Sequence, residues 1–122
     1  MSITDQESQI AKLATEQLRA YNANDLDGFC ACYHADVRVL DADGSEQFSG
    51  LEAFRERYRP KFEAGGFGAT VDARLELAPH CVERETWWLL DPGTGERVSG
   101  TLLVRYTAKD GLIGTVTFLR EA

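Results

Sequence analysis

Apolar residues recur along this chain with two different periods, and the change between them divides it. Near the start, Ile10, Leu13, Ala14, Leu18 and Tyr21 fall at helical spacing and make one apolar stripe. Thr4-Asp5-Gln6-Glu7 has the hydroxyl-to-glutamate spacing of a capping box, so the helix is expected to begin there. Gln17 falls on the stripe, where a polar group either sits at the edge or needs a partner in a cavity. Asn24-Asp25 opens a short second helix, with Asp25 as N-cap and Leu26, Phe29, Cys30 and Tyr33 as its buried face. The link between these helices is so short that they must pack as a hairpin or bent pair.

The period then falls to that of a strand. After His34-Ala35-Asp36, the stretch Val37-Arg38-Val39-Leu40-Asp41 puts Val37, Val39 and Asp41 on one side and Arg38 and Leu40 on the other. Asp41-Ala42-Asp43-Gly44 is turn chemistry, and Gln47-Phe48 reads as a short returning strand. Ser49-Gly50-Leu51-Glu52 is a second capping box, so a third helix starts near Gly50 with Leu51, Phe54, Tyr58 and Phe62 inward. Pro60 lacks an N–H and crowds the preceding turn, which predicts a kink or stop near Tyr58. Ala64-Gly65-Gly66 ends the helix in any case.

From Gly68 onward, residues 70–77, 81–90, 98–107 and 112–119 alternate and are rich in β-branched and aromatic side chains. Asp91-Pro92-Gly93-Thr94-Gly95 and Lys109-Asp110-Gly111 supply hairpin loops. Helices followed by long antiparallel strands predict an α+β fold, with helices on one face of a curved sheet. No repeat, low-complexity stretch or linker breaks residues 1–122, so one domain is expected. In the strand 81–90, Cys81, Glu83, Glu85, Trp87 and Leu89 share one face, while Val82, Arg84, Thr86, Trp88 and Leu90 share the other. A tryptophan on each face favours a homodimer through the outer side of the sheet over a monomer with one exposed tryptophan. The faces Leu102/Val104/Tyr106 and Val116/Phe118 are the more apolar and should look at the helices.

Composition narrows the function. The chain is 43% hydrophobic and 27% charged, as a globular protein is, and its formal net charge of -7 argues against nucleic acid. Arg55, Arg57, Arg59 and Lys61 form a basic cluster, but their even spacing scatters them around a helix. Cys30, Cys32 and Cys81 lack metal-ligand spacing and read as reduced core or near-core thiols. With no leader and no membrane-spanning run, a cytoplasmic protein is expected. No phosphate loop, metal motif or nucleophile elbow is present, and no cofactor is expected. Asp41 ends an apolar face, so it either caps the turn before Gly44 or is held in a dry pocket; the pocket is the reading taken here. Glu85 is a second inward carboxylate, or else pairs with Arg57 or Arg105. Two close carboxylates would leave one protonated, giving an acid and a base in one site.

The segments Asn22-Ala23-Asn24-Asp25-Leu26-Asp27-Gly28-Phe29, Tyr33-His34-Ala35-Asp36-Val37, Asp41 and Gly44-Ser45-Glu46-Gln47-Phe48-Ser49-Gly50 resemble the nuclear transport factor 2-like superfamily. The similarity is to its ketosteroid isomerase and SnoaL-like polyketide cyclase branch, and it covers almost the whole chain. It implies a cone-shaped barrel in which a strongly bent, mostly antiparallel sheet wraps three helices around one deep cavity, and it implies dimers. In the isomerases an aspartate at the position of Asp41 is the general base. The two oxyanion-holding acids match Gln17 and Leu102 and are therefore missing, whereas a second pocket tyrosine matches Tyr58. Several relatives carry an acid at the position of Glu85.

These readings converge on a cofactor-independent acid–base enzyme, of isomerase, cyclase or lyase type, acting on a small apolar carbonyl compound. Asp41 would be the base, with Glu85 and Tyr58 as partners. The cavity wall would comprise Gln17, Tyr33, Trp87, Leu102, Val104, Tyr106, Val116 and Phe118, with Gln17 and Tyr58 as candidate donors to a carbonyl oxygen. A noncatalytic binding protein and a dimerising interaction module are the alternatives on the same scaffold.

Overall fold

Ser8 begins the described chain and caps its first helix. Its Oγ accepts the Ala11 N–H at 3.2 Å, and α1 runs over Gln9–Asn22. The computed structural model describes residues 8–120, so the Thr4-Asp5-Gln6-Glu7 capping box lies outside the described residues. Ile10, Ala11, Ala14, Gln17 and Ala20 form the buried face of α1, and its small alanines let the helix approach the sheet closely. Asp25 caps α2 (Leu26–Cys30) by accepting the Gly28 N–H at 3.0 Å. The sheet is built from β1 (Tyr33–Leu40), β2 (Glu46–Ser49), β3 (Phe67–Leu77), β4 (His80–Leu90), β5 (Arg97–Lys109) and β6 (Leu112–Leu119), with α3 (Leu51–Ala64) between β2 and β3.

Local chemistry explains the strand order β2-β1-β6-β5-β4-β3. Hairpins join β3 to β4, β4 to β5 and β5 to β6, and Asp110 and Gly111 take the φ angles of 50° and 81° that the last of these turns requires. The β1–β2 hairpin joins this meander through a parallel β1–β6 pairing. Register shifts at Val39/Leu40, Val71/Ala73 and Thr107/Ala108 bend the strands, and the helices pack in the concave face. Asn22 fastens α1 to β3 by imitating a strand residue: its side chain donates to the Ala69 carbonyl and accepts the Ala69 N–H, both at 2.9 Å.

The alternation sets the faces as expected. Val37, Val39, Cys81, Val104, Tyr106 and Val116 are buried against the helices. Glu83, fully buried on the same face, is held by the Arg74 Nε at 2.7 Å, and Arg74 also donates to Thr15 Oγ1 at 2.9 Å, which ties β4 and β3 to α1. Phe29 sits at the centre of an aromatic cluster, with its ring 5.5 Å from that of Phe54 and 5.0 Å from that of Tyr58.

Three local expectations need correction. Ser49 belongs to β2, and the N-cap of α3 is Gly50, whose φ of 90° suits glycine and which offers no side-chain cap. Of the kink or stop expected near Tyr58, the stop does not occur: helix α3 continues through Pro60 to Ala64, where the expected Ala64-Gly65-Gly66 end falls. Tyr58 and Phe62, one on each side of Pro60, dock into the same aromatic cluster, and this tertiary packing outweighs the lost hydrogen bond. Strand β1 begins at Tyr33 and ends at Leu40, so Asp41 lies beyond it.

Candidate functional site

The helices do not fill the concave face, and a cavity of about 270 Å³ remains between α1, α2, α3 and strands β1 and β3 to β6. Its wall combines a polar network on one side with aromatic rings on the other. The network starts in α1. Gln17 Nε2 donates to the Ala14 carbonyl at 3.0 Å and to the Tyr106 hydroxyl at 3.1 Å, while Tyr33 donates its hydroxyl proton to Gln17 Oε1 at 2.9 Å. The Ala14 carbonyl can only accept, so it fixes which way the Gln17 amide faces. Tyr106 therefore accepts from Gln17, and its own proton points to Glu85 Oε2 at 3.2 Å.

Glu85 supplies a carboxyl to the cavity wall. It lies on β4, paired with Val71 of β3 and Leu102 of β5, and its side chain lines the cavity. Burial pushes its carboxyl up to about 7; the charge of Glu83 adds to the rise, and the hydrogen bond from Tyr106 opposes it. Near neutral pH, Glu85 therefore exists in both protonation states, as a group that exchanges protons with a ligand must. Tyr58 lines the same cavity from α3. Burial, and next the charge of Glu85, raise its hydroxyl to about 12, which keeps it protonated and able to donate. Its hydroxyl has no hydrogen bond within the described residues and remains available to a ligand oxygen.

Of the residues expected in the wall, Gln17, Tyr33, Tyr58, Glu85, Trp87, Leu102, Tyr106, Val116 and Phe118 line the cavity. Two do not. Val104 is fully buried in the core, paired with Glu83 and Phe118 where α1 covers the sheet. Asp41 is exposed and outside the lining, because the chain turns at that residue: its N–H donates to the Ser45 carbonyl at 2.9 Å, and Oδ1 accepts from Gln47 Nε2. Strand parity would aim Asp41 inward only if the strand continued. The cavity carboxylate expected there is supplied by Glu85 instead. Gln17 also differs from expectation, since both hydrogens of its amide are engaged by Ala14 and Tyr106; it orients the network and has none left for a ligand. Of the arginines weighed as partners for Glu85, Arg57 lies over the Phe48 ring and Arg105 reaches Thr117 Oγ1.

Sequence reasoning missed the cations of the wall. Lys61, in the last turn of α3, and Arg120, just past β6, both line the cavity. A helical-wheel projection from the stripe Leu51, Phe54, Tyr58 and Phe62 would have placed Lys61 beside it. Trp87 is seated by a missing side chain: Gly100 stands opposite it in β5, and a Cβ there would come within 2.6 Å of its ring. Gly68 does the same for Trp88, at 2.7 Å. The three cysteines are free and buried, and among the described residues no group of His, Cys, Asp and Glu is arranged to hold a metal. No helix of the described residues is long and apolar enough to cross a membrane.

An α+β cone with a partly polar cavity in its concave face defines the class, and comparison with known proteins gives the family. Residues 14–115 match the SnoaL-like domain, and the chain belongs to that family. No curated protein matches it in sequence. Among solved structures, it is similar to the Delta 5-3-ketosteroid isomerase from Mycobacterium sp., at 17% identity and a TM-score of 0.81, covering 94% of this chain and 95% of the other. A Mycobacterium tuberculosis protein in complex with estradiol-17beta-hemisuccinate is similar at 17% identity and a TM-score of 0.82, with the same 94% and 95% coverage. A computationally designed 17-OHP binder is similar at 16% identity and a TM-score of 0.83, covering 95% and 94%. At these identities the likeness is one of fold.

Proposed function

We propose that the protein binds a small apolar carbonyl compound in this cavity and moves a proton on it without a cofactor. Glu85 is the acid–base group, Tyr58 donates to the carbonyl oxygen, and Tyr106 holds the carboxyl in place. One observation carries the reading: a carboxyl that titrates near neutrality stands in the same cavity as a tyrosine hydroxyl with no internal partner. Abstraction of a proton from carbon beside a carbonyl needs a base of this kind and a donor for the developing oxyanion. Gln17 and Leu102, which stand where the isomerases carry oxyanion acids, supply no acid here, so the reading does not extend to steroid isomerisation. We further propose that two copies pair through the outer sheet face, where Leu103 is 42% exposed beside Arg84, Thr101 and Leu119.

The test is exchange of α-protons in deuterated buffer, followed by NMR over a panel of cyclic ketones. The wild type should accelerate exchange for at least one ketone, and Glu85→Gln should lower that rate by about 10²–10⁴-fold. Equal rates in the two proteins would remove Glu85 from the role. Binding without exchange would favour the second reading, a binding protein using the same cavity. Similarity to a steroid-complexed protein and to a designed binder supports that alternative.

A further inference from the structure

Lys61 and Arg120 both line the cavity and come from different elements, the last turn of α3 and the residue after β6. Each is laid over an aromatic ring. The Lys61 Nζ is 5.0 Å from the Tyr21 ring centre and 5.2 Å from that of Phe67, and the Arg120 Cζ is 4.9 Å from that of Phe118. Neither forms an ion pair within the described residues, although Arg19, Arg38, Arg55, Arg59, Arg74 and Lys109 all do. The whole chain carries a formal net charge of -7, yet in the cavity wall these two cations outnumber the one acid, Glu85.

This arrangement is unfavourable by itself. Lys61 is half-buried, and its ammonium loses hydration that the flanking rings replace only in part. Arg120 adds like-charge repulsion, and burial and then Arg120 lower the Lys61 pKa, with the charge of Glu85 opposing them in part. An anion placed between the two would offset both costs. Glu85 meets this need only in part: its charge opposes the lowering of Lys61, but the carboxyl is held on β4 by Tyr106 and makes no ion pair with either cation among the described residues. The cavity wall thus carries two cations, Lys61 and Arg120, together with one carboxyl, Glu85, and the Tyr58 hydroxyl. Its volume of about 270 Å³ lies just below the ~300–1,000 Å³ usual for ligand pockets, which suits a body of one or two rings.

We propose that the natural ligand is a small aromatic or alicyclic acid, whose ring body fills the cavity and whose carboxylate is received by Lys61 and Arg120. This rests on the reading of the cavity as a small-molecule site and adds the charge of what enters it. The carboxylate lies against the two cations, and the ring presents its reactive carbonyl to Tyr58 and Glu85.

Calorimetric titration of the full chain with two bicyclic probes of similar shape tests this: 2-naphthoate, and its neutral counterpart 2-acetonaphthone. At about pH 6 the naphthoate is ionised and Glu85 is mostly protonated. The wild type should bind naphthoate about tenfold more tightly, with the preference shrinking as salt rises. The double variant Lys61→Met with Arg120→Gln should bind the two probes equally, while Lys61→Arg should keep the preference. If the double variant does not fold, Arg120→Gln alone, at an exposed position, must lose part of the preference. Equal binding by the wild type, or a preference that survives in the double variant, overturns the proposal and leaves the cavity reading intact. Failure of both probes to bind the wild type removes the cavity reading, and the proposal with it.

Discussion

Glu85 is under two opposed influences. Burial and the neighbouring Glu83 favour its neutral form, while the proton offered by Tyr106 favours its charge, and burial prevails. Its folded value of about 7 lies above the ordinary 4.5, so between the two the native chain holds more protons than the unfolded chain. Stability therefore falls as pH rises through that window. The exposed acids Glu16, Asp43, Glu56 and Glu76 are shifted the other way and titrate below it. Glu85→Gln removes the penalty and keeps an acceptor for Tyr106. The variant should melt at a higher temperature than wild type at about pH 8 and gain little at about pH 5, as calorimetric scans would read. A wild type whose melting temperature rises more steeply than the variant's over that range would contradict the assignment. The position of Glu85 was legible in the sequence, because parity along an unbroken strand names its face. Asp41 was not, because parity ends where the strand ends, and the Asp41–Ser45 turn belongs to the hairpin. Gln17 announced its need for partners, but that these are Tyr33 and Tyr106, 16 and 89 residues away, is a fact of the folded chain.

At the scale of elements, α3 shows most clearly what local rules leave out. Pro60 has no N–H for the carbonyl four residues earlier, yet the helix runs on to Ala64 because Tyr58 and Phe62 are anchored on either side. The cost remains in the native state. Pro60→Ala should restore the bond and stabilise the protein by about 1–2 kcal/mol, less than the ~3 kcal/mol interior penalty because the freed unfolded chain gains entropy. Urea titration would read this as a higher midpoint at unchanged slope, and a lower midpoint would mean that the ring of Pro60 itself packs. The four long strands were readable from alternation alone, since β-branched and aromatic residues suit a pleated surface wherever it lies. Lys61 was legible only in combination: the spacing of Arg55, Arg57, Arg59 and Lys61 scatters charge around a helix, and Lys61 stands out only when set against the stripe Leu51, Phe54, Tyr58 and Phe62, three residues after Tyr58.

For the whole molecule, the concave face is occupied by helices and a cavity, while the convex face keeps apolar area such as Leu103. If two copies meet there, Leu103→Lys should turn a species of twice the chain mass into one of single mass by light scattering, with probe binding in the cavity retained. A wild type of single mass at every concentration would remove the pairing. The glycines beneath the tryptophans have a consequence at this scale too. With Gly100 under Trp87, the backbone already lies as close to the ring as it can, so β5 has no freedom to alter the hollow at that point. Trp87 is the movable part: a smaller residue there would enlarge the chamber without disturbing the strand pairing, and the range of molecules the scaffold admits could widen through a single codon.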